Sequence, residues 1–206
     1  MTWKGFTAIL AGLLAALFMQ ACSTAPATGQ DERLVRHDLR KDGLAGMDDW
    51  AIEARLAVND GSDGGSGKLR WHEGGDRRQM DFHGALGRGA WRLESTADGA
   101  QLELADGRSY RAVTVGELVR EQLGWSIPVE ALSWWVLGLE APGSIDSRSL
   151  DENGTLRSLS QQGWEIEFDR YRDVGGIDMP HKMTASQADK SVKLAVRQWT
   201  LGAGHE

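Results

Sequence analysis

Residues 123–143 read Leu-Gly-Trp-Ser-Ile-Pro-Val-Glu-Ala-Leu-Ser-Trp-Trp-Val-Leu-Gly-Leu-Glu-Ala-Pro-Gly, and this stretch decides the fold. Its middle predicts a short helix, because Pro128 suits a first helical turn and Gly138 suits a helix exit. Wound at about 3.6 residues per turn, the helix has an apolar face with Trp135 at its edge, while Trp134 points almost the opposite way. A helix that is apolar on nearly all sides requires apolar surroundings, so it is either deeply buried or fills a space that another group fills at times.

The segments before and after this helix alternate apolar with polar residues, a pattern typical of antiparallel strands with one dry and one wet face. Turn signals such as Ala97-Asp-Gly99 and Ala105-Asp-Gly107 separate them. The predicted strands cover residues 54–58, 68–72, 79–82, 90–94, 100–104, 108–112, 156–161, 164–168, 181–185 and 192–196. The glycine-rich residues 59–67 predict a flexible hairpin loop.

Two more helices are expected. The spacing Thr114-Val-Gly-Glu117 is that of a capping box and predicts a helix that begins there. Charged residues and leucines predict a helix in the first half of residues 31–49, since Gly43 and Gly46 weaken the rest. The resulting prediction is one α+β domain, a strongly curved antiparallel sheet whose inner face is covered by the central helices.

The N-terminal segment has the order of a secretory signal: Lys4, an apolar run over residues 6–18, and small Ala21 directly before Cys22. A cysteine in this place resembles a bacterial lipobox, in which the cysteine takes a diacylglyceryl group and becomes the acylated N-terminus. The alternative is an uncleaved N-terminal membrane helix, because the apolar run approaches the length that spans a bilayer. The expected segments are a lipoprotein signal peptide, a lipidated N-terminus with a flexible tether, and a single binding domain, at residues 1–21, 22–30 and 31–206.

Charge and motif content narrow the classes of function. The formal net charge of −7 argues against a nucleic-acid-binding surface and against a polybasic lipid-binding patch, so membrane contact is expected from an anchor or from apolar insertion. The single cysteine excludes a disulfide framework. We find no Gly-x-Ser-x-Gly, no P-loop and no metal-type His/Cys spacing, and therefore expect no catalytic residue, no metal site and no cofactor.

Tryptophan is unusually abundant, with nine residues. These side chains either form a solid core or line a dry pocket, because a sheet curled around helices that are apolar on both sides offers a space suited to hydrocarbon. The candidate residues for such an acyl-binding cavity are Trp71, Phe82, Trp91, Leu104, Trp125, Ile127, Leu132, Trp135, Trp164, Ile166 and Phe168.

Two elements in residues 123–138 carry a family resemblance. A Gly–hydrophobic–x–hydrophobic–Pro element, Gly124 to Pro128, is followed by a Leu-x-x-Trp-hydrophobic-hydrophobic-Gly helix, Leu132 to Gly138. In both elements the chain resembles the LolB family of outer-membrane lipoprotein receptors. The likeness continues in order at Trp71, residues 85–87, Gln162-Gly-Trp164, Tyr171, Met179-Pro180 and Trp199.

The resemblance implies an incomplete, half-open β-barrel with a helical lid and an acyl-binding interior. It also implies that the chain takes acylated lipoproteins from the periplasmic carrier LolA and places them in the outer membrane. Leu86 matches an exposed leucine on a protruding loop that delivers cargo to the membrane, although Ala85 stands where proline usually precedes it. Ser23, not aspartate, follows Cys22, which by analogy with envelope sorting favours lipid anchoring at the outer membrane, on its periplasmic face.

The expected state is a monomer without nucleic acid. Two other interpretations stay open beside the receptor. One is a lipoprotein that binds free lipids or glycolipids on a similar curled sheet. The other is a structural envelope lipoprotein whose tryptophans form a solid core.

Overall fold

A computed structural model describes residues 29–62, 64–84 and 89–202. Within these residues the alternation of apolar and polar side chains builds one sheet of eleven strands, every neighbouring pair antiparallel. In chain order the strands are β1 (Asp49–Asp60), β2 (Gly64–Gly74), β3 (Arg77–Gly84), β4 (Trp91–Thr96), β5 (Gly99–Leu104), β6 (Ser109–Ala112), β7 (Ser147–Leu150), β8 (Leu156–Gln161), β9 (Trp164–Val174), β10 (Ile177–Gln187) and β11 (Lys190–Leu201).

The first and last strands meet in the middle of the sheet. The spatial order is β6-β5-β4-β3-β2-β1-β11-β10-β9-β8-β7, so β1 pairs with β11 and the two edges are β6 and β7. The edges do not pair with each other, and the curved sheet stays open rather than closing into a barrel. Because β6 and β7 are consecutive in the chain, residues 113–146 must connect one edge to the other, and this connection carries the central helices. The predicted α+β class with an incomplete barrel is confirmed.

Three helices accompany the sheet in the described residues: α1 (Gly29–Ala45), α2 (Val115–Leu123) and α3 (Val129–Trp135). The predicted capping box is confirmed, since Thr114 Oγ1 accepts a hydrogen bond from Glu117 N at 3.2 Å. Gly138 follows α3 with a φ of +71°, as expected of a helix exit. A side chain at Gly138 is excluded, because a Cβ there would lie 2.8 Å from the Tyr171 hydroxyl.

Three details differ from the prediction. Helix α1 continues past Gly43, where the sequence favoured only its first half. The expected loop at residues 59–67 is mostly strand, because Gly64 to Gly67 continue β2 in register with β1. Strand β7, which reads Ser-Arg-Ser-Leu, was not predicted, because only its last residue is apolar.

A buried polar cluster fixes α1 to the segment after α3. His37 is fully buried, with Nδ1 3.0 Å from the Gly154 carbonyl oxygen and Nε2 2.9 Å from Glu140 Oε1. A peptide carbonyl and an ionised carboxylate only accept hydrogen bonds, so both ring nitrogens of His37 donate and the ring is an imidazolium. Arg148 donates a further hydrogen bond to Glu140. The cluster therefore pairs the buried Glu140 carboxylate with two cations.

These contacts determine the titration of Glu140. Burial by itself raises the pKa of this carboxyl, but the hydrogen bonds from His37 and Arg148 outweigh burial and lower its pKa from 4.5 to about 2. Because the pKa in the folded state is depressed, ionised Glu140 stabilises the fold above about pH 4.5, and this stabilisation is lost as the pH falls towards 2.

Replacing Glu140 with glutamine is expected to lower the free energy of unfolding at pH 7 by about 3 kcal/mol, the equivalent of the pKa shift. The difference from the unmodified chain should shrink between pH 4.5 and pH 2, because protonation removes the same charge. Urea unfolding at several pH values measures both effects. Glu167→Gln, on the exposed side of β9, is the control and should change little. A Glu140→Gln difference that does not vary with pH would contradict the assignment.

Candidate functional site

The space between the inner face of the sheet and helices α2 and α3 is apolar on every side and almost filled. Its volume is about 30 Å³, which corresponds to one water molecule. It is lined by Leu56, Leu69, Trp71, Met80, Trp91, Val119, Trp125, Ile127, Val129, Leu132, Val136, Met183, Val192 and Leu194. We call this space the interior. Hydrocarbon enters it only if side chains or helices move.

An open groove of about 630 Å³ lies beside the interior, between the start of β2, strands β4 and β5, and the end of α2. An aromatic cluster of Phe82, Trp91 and Trp125 stands at the boundary between this outer groove and the interior. Phe82 and Trp91 stack with ring centroids 5.2 Å apart, and Trp125 meets Trp91 edge-on at 6.3 Å. The Trp125 ring also lies over Gly65, where a Cβ would come within 3.2 Å of it. Glycine in β2 thus makes room for the ring that separates groove from interior.

The candidate cavity residues fall into three sets. Trp71, Trp91, Trp125, Ile127 and Leu132 line the interior. Phe82 and Leu104 line the outer groove, together with Trp91 and Trp125.

The third set, Trp135, Trp164, Ile166 and Phe168, is buried in the core away from both spaces. Trp135 instead donates a hydrogen bond from Nε1 to Gln161 Oε1 at 3.0 Å. Sequence reasoning did not list several residues of the interior, among them Leu56, Leu69 and Met183, although their places in alternating strands point inward.

The connection that carries α2 and α3 is held weakly at its N-terminal side. Ser126 N donates to Asp60 Oδ2 at 3.2 Å, and Gly116 N donates to Glu130 Oε1 at 3.2 Å. Asp60 also forms an ion pair with Lys190, whose Nζ lies 3.3 Å from Oδ1. Ser126 and Glu130 are exposed to solvent, where single hydrogen bonds contribute little.

The C-terminal side of the same connection is held far more firmly. The Arg40 guanidinium donates to the carbonyl oxygens of Leu137 at 2.7 Å and Gly138 at 3.0 Å, and it also donates to the Asp178 carbonyl of β10. The Gln161 side chain accepts from Ala141 N at 3.0 Å and donates to its carbonyl at 2.7 Å. With the Glu140 cluster, these buried contacts make the C-terminal side a fixed point, about which residues 113–136 are free to swing.

Ser133 adds one contact between these two sides. Arg78 donates to Ser133 Oγ at 2.7 Å, and Ser133 in turn lies 3.3 Å from Glu73 Oε1. Glu73 also accepts from Trp71 Nε1 at 3.0 Å, so a wall residue of the interior is tied to the same ion pair.

The described residues hold no cluster of three or more His, Cys, Asp or Glu side chains placed to bind a metal ion. None of the helices in the described ranges is both long and apolar enough to cross a membrane. His72 and His83 do not meet across the sheet, since His72 pairs with Gln79 and His83 with Lys68. Cys22 and Leu86 lie outside the described residues.

Comparison with known proteins places this architecture. The family model described as outer membrane lipoprotein LolB matches residues 48–199. The chain belongs to the LolB family. It is 37% identical over 161 residues to outer-membrane lipoprotein LolB of Pseudomonas fluorescens strain Pf-5, with 78% of each chain covered. The LolB of Pseudomonas putida strain GB-1 is 37% identical over 159 residues, which cover 77% of this chain and 78% of the relative.

A solved structure supports the fold independently. A domain from Vibrio parahaemolyticus, described as an outer membrane lipoprotein-sorting protein, superposes with a TM-score of 0.54. The comparison covers 87% of this chain and 95% of that domain, at 14% identity, so the likeness concerns the fold. Membership of the LolB family confirms the resemblance noted in the sequence and the outer-membrane localisation that it implied.

The weak N-terminal attachment leads to a prediction about motion. Asp60→Ala removes the acceptor for Ser126 N, so the backbone amides of Ser126 and Ile127 should exchange with solvent about tenfold faster, the equivalent of ~1.4 kcal/mol. Lys190→Ala is the matched control, because it removes the ion pair and leaves the Ser126 hydrogen bond. Amide exchange at Ala141 should be unchanged in both variants. Equal exchange rates at Ser126 in the two variants would refute the proposed weak attachment.

Proposed function

We propose that this chain is an outer-membrane receptor that accepts lipoproteins from a LolA-like periplasmic carrier and inserts them into the outer membrane. Family membership supports a role in lipoprotein localisation. The observation that carries the proposal is an interior lined by apolar side chains alone and covered by a connection attached firmly at one end only. In the proposal residues 1–21 are a signal peptide, Cys22 carries the lipid anchor, and the cargo's acyl chains occupy the interior.

The energetics of the cargo explain the need for such a space. Burial of a methylene is worth about 0.8 kcal/mol, so three acyl chains of ~15 methylenes cost on the order of 36 kcal/mol in water. A lipoprotein therefore cannot cross the periplasm free. Transfer from one apolar space to another needs only a difference in affinity, since about 1.4 kcal/mol shifts the equilibrium tenfold. No nucleotide is required at the receiving end.

Opening proceeds by a swing of α2 and α3 about their fixed C-terminal side. The bonds from Ser126 to Asp60 and from Gly116 to Glu130 break, and both pairs of polar groups are solvated by water as they part. Trp125 then leaves its place over Gly65, which joins the outer groove to the interior. Acyl chains replace the side-chain contacts that they displace, so apolar contact is exchanged for apolar contact.

One observation favours the second candidate, a structural lipoprotein with a solid core. An interior of about 30 Å³ is what a permanently packed core also has. The two candidates differ in whether the helices part from the sheet. An acyl chain with an environment-sensitive fluorophore distinguishes them, because it brightens only on entering a dry space.

The decisive experiment transfers a labelled, acylated lipoprotein from the LolA-like carrier to the chain with Cys22→Ala, in solution and without membranes. The receptor should take up the acylated cargo without nucleotide and leave unacylated cargo on the bench control. Uptake of loose fatty acid but not of the lipoprotein would favour the free-lipid interpretation. No uptake of either, with a dim acyl probe, would favour the solid core.

A separate prediction concerns delivery. Replacing Leu86 with glutamate should leave transfer from the carrier intact and slow insertion into vesicles at least tenfold, because a carboxylate resists entry into hydrocarbon. Leu86→Ile keeps the residue apolar and is the control. The two steps are followed by the same label, first in solution and then in vesicles. An equal loss at both steps would argue against a delivery role for Leu86.

A further inference from the structure

A second groove lies on the outer, solvent-facing side of the sheet, opposite the interior. It has a volume of about 570 Å³ and crosses strands β3, β2, β1, β11 and β10. Its polar rim consists of Arg55, Lys68, His83, Lys182 and Lys193, all exposed. No carboxylate lines it. We call it the cationic groove. In a chain of net charge −7, four lysine and arginine side chains thus surround one space without an acidic neighbour in its wall.

Strand register places like charges directly against each other in this groove. Lys68 lies opposite Arg55 across β2 and β1, and His83 lies opposite Lys68 on the other side. Directly opposed like charges destabilise an antiparallel pair. Of the groove's lysines and arginines, Lys182 has an ion-pair partner in the described residues, Asp169 at 2.8 Å. Arg55, Lys68 and Lys193 have none there.

The rest of the outer face follows the opposite rule. Its cations lie across from carboxylates on neighbouring strands, as sheet stability favours. The pairs are Arg70–Glu53 at 3.4 Å, Arg92–Asp81 at 2.7 Å and Arg77–Glu94 at 3.4 Å. The absence of such pairing in the cationic groove is therefore local, and an anion from outside the chain would relieve the repulsion there.

The floor of the groove consists of small residues, among them Ala57, Ser66, Gly67 and Ala195. Gly67 is required by the fold, because a Cβ there would collide with the backbone of β3 at His83 and Gly84. The floor has no aromatic side chain and no deep apolar pocket of the kind that anchors protein partners. Long cations around a shallow, small-residue floor suit compact phosphate groups better than a protein surface.

We propose that the cationic groove binds the headgroups of anionic phospholipids at the membrane surface. Its wall includes Gly84, which is two residues before Leu86 in the sequence. Headgroup binding next to this position holds the receptor with its delivery loop towards the bilayer. The inference deepens the proposed function, because it assigns the outer face of the sheet to the membrane while the inner face holds the cargo.

The test measures flotation of the full chain with Cys22→Ala, without carrier or cargo, on phosphatidylcholine vesicles with and without phosphatidylglycerol. The chain should bind the phosphatidylglycerol vesicles more tightly, and added salt should weaken that binding. The double variant Arg55→Gln/Lys68→Gln should bind them roughly 25-fold more weakly, from about fivefold for each cation lost near an anionic surface.

The matched control is Arg157→Gln/Arg172→Gln, which removes the same charge from exposed positions of β8 and β9 outside the groove. It should retain most of the binding. Equal losses in the two double variants, or equal binding of the unmodified chain to both vesicle types, would overturn the proposal. Vesicle binding unaffected by Arg55→Gln/Lys68→Gln, with weakened carrier binding, would assign the groove to a protein and also overturn it. Failure here leaves transfer in solution untouched, so it is distinguishable from failure of the receptor role.

Discussion

The pairing of β1 with β11 is the constraint on which the rest of the structure depends. It places the first and last strands at the centre of the sheet and sends β6 and β7 to opposite edges. The chain between these edges has to cross the inner face, and an open sheet with an apolar inner face has to be covered. Residues 113–146 satisfy both requirements at once. A cover that is a connection between edges, rather than a separate layer, is attached through its two ends and is able to lift from one of them.

Its two ends differ in the kind of interaction that holds them. At the C-terminal side, Arg40, Gln161 and the Glu140 cluster make buried hydrogen bonds, which are costly to break because the partners would be left unsatisfied. At the N-terminal side, Ser126 and Gly116 make single hydrogen bonds that water replaces. Apolar contact without direction holds the middle. This combination allows a filled interior and an opening motion in the same fold.

Much of this fold could be predicted from the sequence, because strand alternation and capping are local signals. The strands around residues 54–58 and 192–196 were predicted from alternation alone, and Thr114 from its spacing to Glu117. Residues 64–67 were misassigned, since glycine is usually read as loop, whereas here it permits the close approach of β2 to its neighbours. The His37–Glu140 contact joins residues 103 positions apart, and no local pattern announces it. The fact that the interior is filled depends on how side chains pack, which alternation does not specify.

Net charge misled for a related reason. A total of −7 argues against a basic lipid-binding patch only if charge is spread evenly, and register distributes it unevenly. Along β1, Leu56 points to the interior and Arg55 to the cationic groove, so neighbouring residues serve opposite faces. Cross-strand pairing then decides whether Arg55 meets a carboxylate or Lys68, and it meets Lys68. The period of two that makes one face of the sheet suitable for hydrocarbon thereby leaves the other face free to carry an unbalanced charge, and a single strand supplies both surfaces.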